Sequence, residues 1–499
     1  GSISSEHGDG LARSWLNPSF LSEELYALNV KLKKIFDPGG VLNPGKVVEA
    51  PAISEHLRFG PGYRTARFEE TMDFTEYGGF AGAVEMCNGN GACRKLSTGT
   101  MCPSFMVTRN EQDSTRGRAN ALRLALAGRL PADAMTGQRM YEVMDLCVQC
   151  KACKTECPSN VDMARIKTEW LSRHWTDNKI PLRTKIFANL PAIARSLGQT
   201  GRRLGSAFNS GRLTGRLAAG VLGIAADRPL PTFTSKTFVD WFRGRGAAEG
   251  DREVVLFPDS FTNFFEPEVG RAAVEVLEAA GYRVVVPESP ICCGRTYLSK
   301  GFLPQAQRTA IETIDVLFEY ANRGVDIVGL EPSCILTLRD EFLYLLAGEK
   351  RARTVARKVV TFDEFVLRNR SLSFSKTRFH TNHSPVLVHG HCHQKALSGT
   401  DPTIGCLELC GYDDVQVVDS GCCGMAGSFG YEKEHREVSQ AMAERRLAPA
   451  VRALPKAGLV VAAGTSCRAQ IRHVTGRTAL HPAQAARLTL AAGQSATGG

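Results

Sequence analysis

The sequence predicts an α/β protein in which a duplicated, cysteine-rich parallel-sheet region follows a small helical module with its own group of cysteines. Three observations lead to this prediction. Strands alternate with helices from residue 251 onward, the same order of elements occurs twice there, and the 16 cysteines are grouped. The 499 residues suffice for about three domains. A hydrophobic content of 43% and a charged content of 22% are typical of globular proteins.

The grouping of the cysteines argues against a disulfide framework, which is typical of small secreted domains. Four of them form a run at positions 147, 150, 153 and 157, immediately before Pro158, and two Cys-Cys-Gly triplets occupy residues 292–294 and 422–424. Adjacent cysteines cannot easily bridge each other, so we expect free thiols in a reducing compartment and a cytoplasmic location. The longest apolar run, residues 217–226, is about half as long as a membrane-spanning helix, and we predict no transmembrane segment.

The first half of the chain is predicted to contain four segments. Residues 1–48 begin with a glycine-rich turn, continue into a helix over residues 23–36 and end in a stretch rich in Gly and Pro that cannot be helical. Residues 49–84 form a polar connector. Residues 85–175 form a compact module of short amphipathic helices, one of them over residues 118–126, and residues 176–250 form a basic helical linker.

The basic linker contains almost the whole net charge of +10. Residues 176–246 include 12 Lys or Arg and three acidic residues, a net charge of +9. Two interpretations remain open: a solvated linker, or a surface that docks to anionic lipid or an acidic partner and gives peripheral contact with the inner face of a membrane. Aromatic residues are sparse there and no recognition motif is present, which argues against nucleic acid.

The second half is predicted to be two copies of one unit, residues 251–372 and 385–490. Strands are expected over residues 253–257, 283–286 and 325–330 in the first copy, and over residues 385–388, 415–418 and 458–462 in the second. Each Cys-Cys-Gly triplet follows the second strand of its copy. Because parallel sheets place their sites at the carboxyl ends of the strands, we expect the triplets to lie at such an edge.

The cysteine spacing in the helical module is that of a two-cluster ferredoxin, where a fourth cysteine before proline reaches the neighbouring cluster. By this rule Cys147, Cys150 and Cys153 hold one cluster, here cluster B, with Cys102 as the fourth ligand. The other, cluster A, takes Cys87, Cys93 and Cys157, but Asn90 occupies its fourth ligand position. Cluster A is therefore a four-iron cluster with a non-cysteine ligand, a three-iron cluster, or absent. Structural zinc is the alternative for cluster B.

The duplicated unit offers a further candidate metal centre. The second copy supplies Cys392, Cys422, Cys423 and Cys467, with three histidines beside the first of these (His389, His391 and His393). The first copy supplies Cys292, Cys293 and Cys334, and Phe261 replaces its fourth thiol. Soft ligands from separate loops suit an unusual iron–sulfur centre or zinc, and a dithiol is the remaining alternative. Cys406 and Cys410 are predicted to be buried small hydrophobes.

With these motifs, residues 85–490 resemble the FAD and iron–sulfur D-2-hydroxy-acid dehydrogenases, of the D-lactate and D-2-hydroxyglutarate type. The Cys-Cys-Gly repeats are similar to the cysteine-rich domains of heterodisulfide reductase and of the glycolate oxidase iron–sulfur subunit. Residues 3–10 and 36–46 resemble two motifs at the end of an α+β flavin-oxidase domain. The resemblance implies that the first 48 residues are the remnant of such a domain.

The resemblance also implies roles for three residues. Glu6 would ligate a divalent metal, Zn or Mn, that holds the substrate, His7 would take the hydroxyl proton, and Asn43 would lie near the flavin. Ser5 departs from the usual Gly or Ala and leaves these roles intact. The chemistry is coherent, because oxidation of a hydroxy acid needs a base, a cation beside the developing alkoxide and a hydride acceptor.

The expected function is the electron-transfer half of such a dehydrogenase, taking electrons from the flavin through the 4Fe-4S clusters to a quinone or an electron carrier. Forty-eight residues cannot enclose FAD, so we expect a fragment or split-gene product that is inactive alone and needs a flavin domain or flavoprotein subunit. A homo-oligomer is a further expectation. The alternative functions are a separate electron-transfer subunit and a thiol–disulfide reductase.

Overall fold

The computed structural model describes residue 3 and residues 6–203, 220, 222–246 and 250–491. The chain divides into two compact units, Gly1–Ala66 and Arg67–Gly499. Among the described residues, no helix combines the length and apolar character needed to cross a lipid bilayer.

The first unit consists of three helices followed by turns, and the helix bounds are α1 Gly10–Arg13, α2 Asn17–Phe20 and α3 Glu23–Phe36. The predicted helix over residues 23–36 is confirmed with the same bounds. Ser22 caps α3 by accepting the N–H of Leu25, which is the usual role of serine at this position. After α3, the carboxylate of Asp37 accepts the N–H groups of Val41 and Leu42 and fixes the predicted turn.

The cysteine module at the start of the second unit is helical, as expected. Its helices are α4 Phe80–Glu85, α5 Pro103–Thr108, α6 Thr115–Leu126, α7 Gln138–Asp145, α8 Ala152–Glu156 and α9 Met163–Asp177. The helix predicted over residues 118–126 begins three residues earlier, because Ser114 caps it through the N–H of Gly117. Phe80, Leu122 and Trp170 are fully buried in a shared core.

The predicted basic linker contains described helices at α10 Leu182–Ala188, α11 Leu190–Ser196 and α12 Phe238–Arg243. Residues 204–219, 221 and 247–249 of this segment lie outside the described residues. Two of the described cations contact the second repeat. Arg183 hydrogen bonds with Glu434, and buried Arg228 donates to Gln470 at 2.9 Å. Part of the positive charge is therefore used within the fold.

The first repeat is built on a parallel four-stranded sheet. Its strands are β1 Arg252–Leu256, β2 Tyr282–Val285, β3 Ile327–Gly329 and β4 Val359–Thr361, in the order β2-β1-β3-β4. Its helices are α13 Ser260–Phe264, α14 Pro267–Ala279, α15 Arg295–Ser299, α16 Leu303–Asn322, α17 Pro332–Arg339, α18 Glu341–Leu345, α19 Lys350–Lys358 and α20 Phe362–Arg368.

The second repeat has the same topology. Its strands are β5 Val386–Val388, β6 Val415–Val417, β7 Leu459–Val461 and β8 Ala479–Leu480, in the order β6-β5-β7-β8. Its helices are α21 Cys392–Leu397, α22 Asp401–Leu409, α23 Arg436–Glu444, α24 Leu447–Ala453, α25 Thr465–Thr475 and α26 Pro482–Thr489. The α/β class is confirmed. Strands β4 and β8 were not predicted, because they are too short to show a periodicity of their own.

The two repeats pack against each other through their helices. Helix α14 of the first repeat contacts α26 of the second, and Cys406 and Cys410 lie in the core of the first sheet. Both cysteines have no exposed surface, so their predicted burial is confirmed. This packing matters for function because it brings the carboxyl edges of both sheets into one region of the second unit.

Candidate redox site

The loop that carries the cysteine run is held in a tight turn by two residues with left-handed backbone conformations. Gln149 has a φ of 50° and Lys151 a φ of 62°, and each lies between two of the cysteines. The ammonium group of Lys167 donates to the carbonyls of Asp145 and Cys147 at 3.0 and 2.7 Å. This fixes the start of the loop at the end of α7. Cys153 lies in α8, immediately after the turn.

Four cysteines line one cavity with about 320 Å³ of empty space: Cys102, Cys147, Cys150 and Cys153. Cys102 reaches it from the start of α5, whereas the other three come from the loop between α7 and α8. Burial raises the pKa of Cys150 and of Cys153 well above that of a free thiol. Deprotonated sulfur at these positions therefore needs a cation, and thiolates at this spacing are iron–sulfur ligands.

The surroundings of Arg118 indicate whether the cavity suits an iron–sulfur cluster. Its side chain is fully buried and lines the cavity, with Nη1 3.6 Å from Sγ of Cys102. Its other nitrogens donate to the carbonyl of Val143 and the hydroxyl of Ser104. Within the described part of the chain, no carboxylate oxygen lies within 4.0 Å of this guanidinium. A buried charge requires a compensating charge, which four thiolates around iron would supply in addition to the more distant carboxylate of Asp113.

The raised pKa of Arg118 also indicates negative charge at the neighbouring thiols. Burial disfavours its charge, but the neighbouring Cys147 and Cys102, together with Asp113, outweigh burial and raise the pKa. Sequence reasoning missed this residue, although a signal was present: Arg118 lies on the same face of α6 as Ala119, Leu122 and Leu126, all of which are buried. A charged residue on the apolar face of a helix indicates a buried partner.

The predicted ligands of cluster A lie in the same module. Cys87 and Cys93 are buried, Cys157 is half-buried, and Sγ of Cys93 accepts the N–H of Arg116 at 3.4 Å. Burial is the main cause that raises the pKa of Cys93, and Cys102 and Cys87 contribute. Asn90 is exposed, and its side-chain oxygen accepts the N–H of Ala92 at 2.9 Å. Asn90 thus stabilises a local turn.

The second repeat brings its four predicted thiols together. Cys422 hydrogen bonds with Cys392 and with Cys423, and Cys423 also contacts Cys467. The hydrogen bond from Cys392, ahead of burial, raises the pKa of Cys422 to about 12. They converge because Cys392 begins α21, Cys467 lies in the first turn of α25, and the Cys-Cys pair follows β6.

His389 completes this group of ligands. One of its ring nitrogens and the sulfurs of Cys423 and Cys467 all lie within 4.8 Å of one another. Its Nδ1 is 2.7 Å from the hydroxyl of Ser420, so Nε2 is the nitrogen that faces the thiols. Burial lowers the pKa of His389, which favours the neutral imidazole that binds metals. The sequence pattern places this histidine beside the thiols but gives it no role.

The first repeat forms a smaller group of thiols. Cys293 hydrogen bonds with both Cys292 and Cys334, and all three are buried. Phe261, which the aligned sequences place opposite Cys392, packs against the core. The arrangement offers three soft ligands.

The cysteine module and both repeats meet at these groups. Nε2 of His393 lies 2.9 Å from the carbonyl of Gln149, and Cys422 is close enough to contribute to the raised pKa of Cys150. Glu331 of the first repeat accepts the N–H of Thr465 at 2.7 Å in the second. The thiols of cluster B and those of the second repeat are therefore neighbours. Nothing in the sequence pattern predicts the cross-repeat contact of Glu331.

The three residues predicted for flavin chemistry belong to the first unit. Glu6 and His7 are exposed, with 3.7 Å between Oε1 of Glu6 and Nε2 of His7. Asn43 is exposed, has a φ of 49° and accepts a hydrogen bond from Lys46 at 3.3 Å. The structure describes this unit by itself, and the roles of these three residues stay a prediction.

Three similar proteins place the chain in a family. It is 28% identical to D-2-hydroxyglutarate dehydrogenase of Escherichia coli K12, over 96% of this chain and 50% of that protein. It is 28% identical to one subunit of the anaerobic glycerol-3-phosphate dehydrogenase of the same organism, over 54% of this chain and 67% of that protein. It is 30% identical to lactate utilization protein A of Bacillus cereus, over 36% of this chain and 74% of that protein. The chain belongs to the family of lactate utilization protein A. Its domain content is that of the C-terminal part of the FAD- and iron–sulfur-linked D-2-hydroxy-acid dehydrogenases. It spans about half the length of the D-2-hydroxyglutarate dehydrogenases it matches.

Three family models match separate segments of the chain. The C-terminal domain of FAD linked oxidases matches residues 1–47, and the 4Fe-4S dicluster domain matches residues 83–161. The cysteine-rich domain matches twice, over residues 257–339 and 386–472. The dicluster match contains all seven thiols of the helical module, and the two cysteine-rich matches contain the seven candidate ligand thiols of the repeats together with Cys406 and Cys410. The predicted iron–sulfur and FAD-linked character is confirmed at this level.

Proposed function

We propose that this chain is the iron–sulfur electron-transfer half of an FAD-dependent D-2-hydroxy-acid dehydrogenase, delivering electrons from the flavin to a quinone or an electron carrier. The observation that carries the proposal is the convergence of Cys102, Cys147, Cys150 and Cys153 on one cavity beside a fully buried Arg118. Iron–sulfur clusters supply one-electron transfer at a potential set by net charge and by hydrogen bonds to sulfur.

The residues around the cavity have distinct proposed tasks. The four cysteines hold the group, Arg118 compensates its charge, and Lys167 fixes the loop through the carbonyls of Asp145 and Cys147. His393 ties the same loop to the second repeat through the carbonyl of Gln149. These contacts support an electron route from cluster B to the thiols of the second repeat, since the two groups are adjacent.

The second repeat is proposed to hold an iron–sulfur centre through Cys392, Cys422, Cys423 and Cys467, with zinc as the alternative. The three thiols of the first repeat, Cys292, Cys293 and Cys334, are proposed as further ligands. Cluster A is proposed to use Cys87, Cys93 and Cys157. Because the side chain of Asn90 stabilises a local turn, Asn90 is not proposed as the fourth ligand of cluster A.

The substrate side of the proposal rests on the first unit. Glu6 is proposed to bind a divalent cation, Zn or Mn, that holds a D-2-hydroxy acid, His7 to accept the hydroxyl proton, and Asn43 to lie beside the flavin. The 3.7 Å between the Glu6 carboxylate and the His7 imidazole supports action on one substrate. The partner is a flavin domain, either on the same polypeptide or on a separate subunit.

Iron and acid-labile sulfide counting on anaerobically purified protein tests the cluster assignment. We expect Cys150→Ala to lose about four irons per chain. The matched control is Cys406→Ala, which removes another buried thiol from outside the proposed sites and should retain the wild-type iron content. Equal iron in both variants and the wild type would disprove the proposed site.

Measuring the oxidation of a D-2-hydroxy acid tests the proposed role of His7. In protein supplied with its flavin domain, His7→Ala should abolish hydroxy-acid oxidation, while dithionite still reduces the clusters. Unchanged oxidation would remove His7 from the proposed mechanism.

A second candidate function is a separate electron-transfer subunit, which the similarity to a single subunit of the anaerobic glycerol-3-phosphate dehydrogenase favours. It predicts full iron content and electron acceptance from a separate flavoprotein, with no effect of His7→Ala. The His7→Ala measurement therefore separates the two candidates.

A further inference from the structure

The two repeats differ at the position of one thiol, and the strand hydrogen bonds identify the residue that replaces it. In the first repeat the N–H of Phe257 donates to β3 at 2.8 Å, and in the second repeat the N–H of His389 donates to β7 at 2.8 Å. Because these two hydrogen bonds are equivalent, Ser260 is the counterpart of Cys392. The aligned sequences place Phe261 there instead, which is one residue too late.

The turns that follow these strands support the same pairing. Asp259 accepts a backbone N–H through its side chain at 3.0 Å, and His391 accepts the equivalent N–H at 3.2 Å. Each of these residues precedes a helix, and Ser260 is the first residue of α13 as Cys392 is the first residue of α21. The same local backbone therefore carries a hydroxyl in the first repeat and a thiol in the second.

Ser260 also contacts the thiols of the first repeat. Its Oγ lies 3.8 Å from Sγ of Cys292, and Cys293 hydrogen bonds with both Cys292 and Cys334. These four side chains form one continuous chain of contacts, with the hydroxyl at the place of a ligand. The second repeat has the same chain of contacts, in the order Cys392, Cys422, Cys423 and Cys467.

The surroundings of these side chains suit a bound metal. Burial raises the pKa of Cys293 well above that of a free thiol, so its thiolate needs a cation. The N–H of Arg295 donates to Sγ of Cys293 at 3.4 Å, but the guanidinium pairs with Glu341. Thr313 exchanges two hydrogen bonds with the backbone of Cys292, at 3.2 and 2.8 Å, and fixes the Cys-Cys pair. A metal would supply the positive charge that the thiolates need.

We propose that Ser260 is the fourth ligand of an iron–sulfur centre in the first repeat, with oxygen in place of the sulfur that Cys392 supplies in the second. The inference rests on the proposed function, which assigns the three thiols of this repeat as ligands. Iron replaces the protons of these thiols and of the hydroxyl when it binds. Oxygen is a harder donor than sulfur and favours ferric iron. The centre should therefore have a lower midpoint potential than the same centre with four thiolates.

Iron and acid-labile sulfide counting on the anaerobically purified protein tests the ligand role. Cys334→Ala measures the iron that the first repeat holds. We expect Ser260→Ala to lose at least about one iron per chain, and Ser260→Cys, which supplies a thiol, to keep the wild-type content. The matched control is Ser299→Ala, which removes another half-buried hydroxyl of this repeat, one that donates to the carbonyl of Thr296 at 3.1 Å, and should also keep the wild-type content.

The midpoint potential separates a ligand from a residue that only packs beside the thiols. In an anaerobic redox titration followed by electron paramagnetic resonance, Ser260→Cys should shift one signal to a more positive potential, because thiolate is the softer donor. Ser299→Cys adds a thiol elsewhere in the repeat and should leave every potential unchanged. Iron loss in both Ser260 variants, or wild-type potentials in a fully loaded Ser260→Cys protein, would overturn the inference.

The Cys334→Ala variant separates failure of this inference from failure of the proposed function. Iron loss in Cys334→Ala, together with wild-type iron in Ser260→Ala, would refute the serine ligand alone. Wild-type iron in Cys334→Ala would remove the metal centre from the first repeat, and with it the inference, whereas Cys150→Ala tests cluster B independently. Zinc in place of the lost iron, measured by mass spectrometry of the same samples, would overturn the iron–sulfur assignment of this centre.

Discussion

Replacing Arg118 should change the redox potential of the group held by Cys102, Cys147, Cys150 and Cys153. The guanidinium is fully buried and lies 3.6 Å from Sγ of Cys102. Reduction adds a negative charge beside this cation, which stabilises the reduced state. Arg118→Gln removes the charge while keeping a side-chain amide that can donate to the carbonyl of Val143. We therefore expect the variant to have a lower midpoint potential.

The distance sets the size of the effect. Two unit charges 3.6 Å apart interact by about 5 kcal/mol at an effective dielectric constant of about 20. The added electron is spread over a group whose far side is more distant, so about half of this, roughly 2 kcal/mol, is realistic. For a one-electron couple about 1.4 kcal/mol corresponds to about 59 mV, which gives a decrease of about 90 mV.

The assay is an anaerobic redox titration followed by electron paramagnetic resonance, with iron counting to show that each variant is loaded. Arg118→Lys keeps the charge and should restore most of the potential. The matched control is Arg139→Gln on α7, where the arginine is exposed and pairs with Glu142 at 2.7 Å. A fully loaded Arg118→Gln protein with the wild-type potential would refute the reasoning and the placement of the group beside Arg118.

Two further predictions concern the second repeat and pH. A Cβ on Gly464 would lie 2.4 Å from Cδ2 of His391, so Gly464→Ala should reduce the metal content of the second repeat, measured by mass spectrometry. The control is Gly198→Ala, which has open space around the added Cβ and should keep the wild-type metal content. Equal metal content in the two variants would contradict this prediction. Burial lowers the pKa of His435, but Asp145 and Glu432 outweigh burial and raise it to about 9. Since the folded pKa exceeds the unfolded value of about 6.5, the stabilisation, at most about 3 kcal/mol, is complete below about pH 6.5 and is lost as pH rises through about 9. The difference in melting temperature between the wild type and His435→Gln should therefore shrink between about pH 6 and pH 10, and a constant difference would disprove the assignment.

Local patterns were sufficient for most of the fold. The helix Glu23–Phe36 was predictable because Ser22 caps it and a Gly- and Pro-rich turn follows it. The repeated order of strands, helices and Cys-Cys-Gly triplets predicted two parallel sheets, and both have the same strand order. The strands Val359–Thr361 and Ala479–Leu480 were missed because two or three residues carry no periodicity and form strands only by pairing with a neighbour.

The sequence by itself determined the ligand types and their grouping, since thiol spacing along a loop is a local property. Only the tertiary structure decided which groups are neighbours. Arg118 approaches Cys102, His389 approaches Cys423 and Cys467, and His393 reaches the carbonyl of Gln149, which is 244 residues away in sequence. These contacts arise from the packing of α6, α8 and the two sheets, where burial makes an uncompensated charge or thiolate costly. Such long-range pairing leaves no repeat or spacing in the sequence.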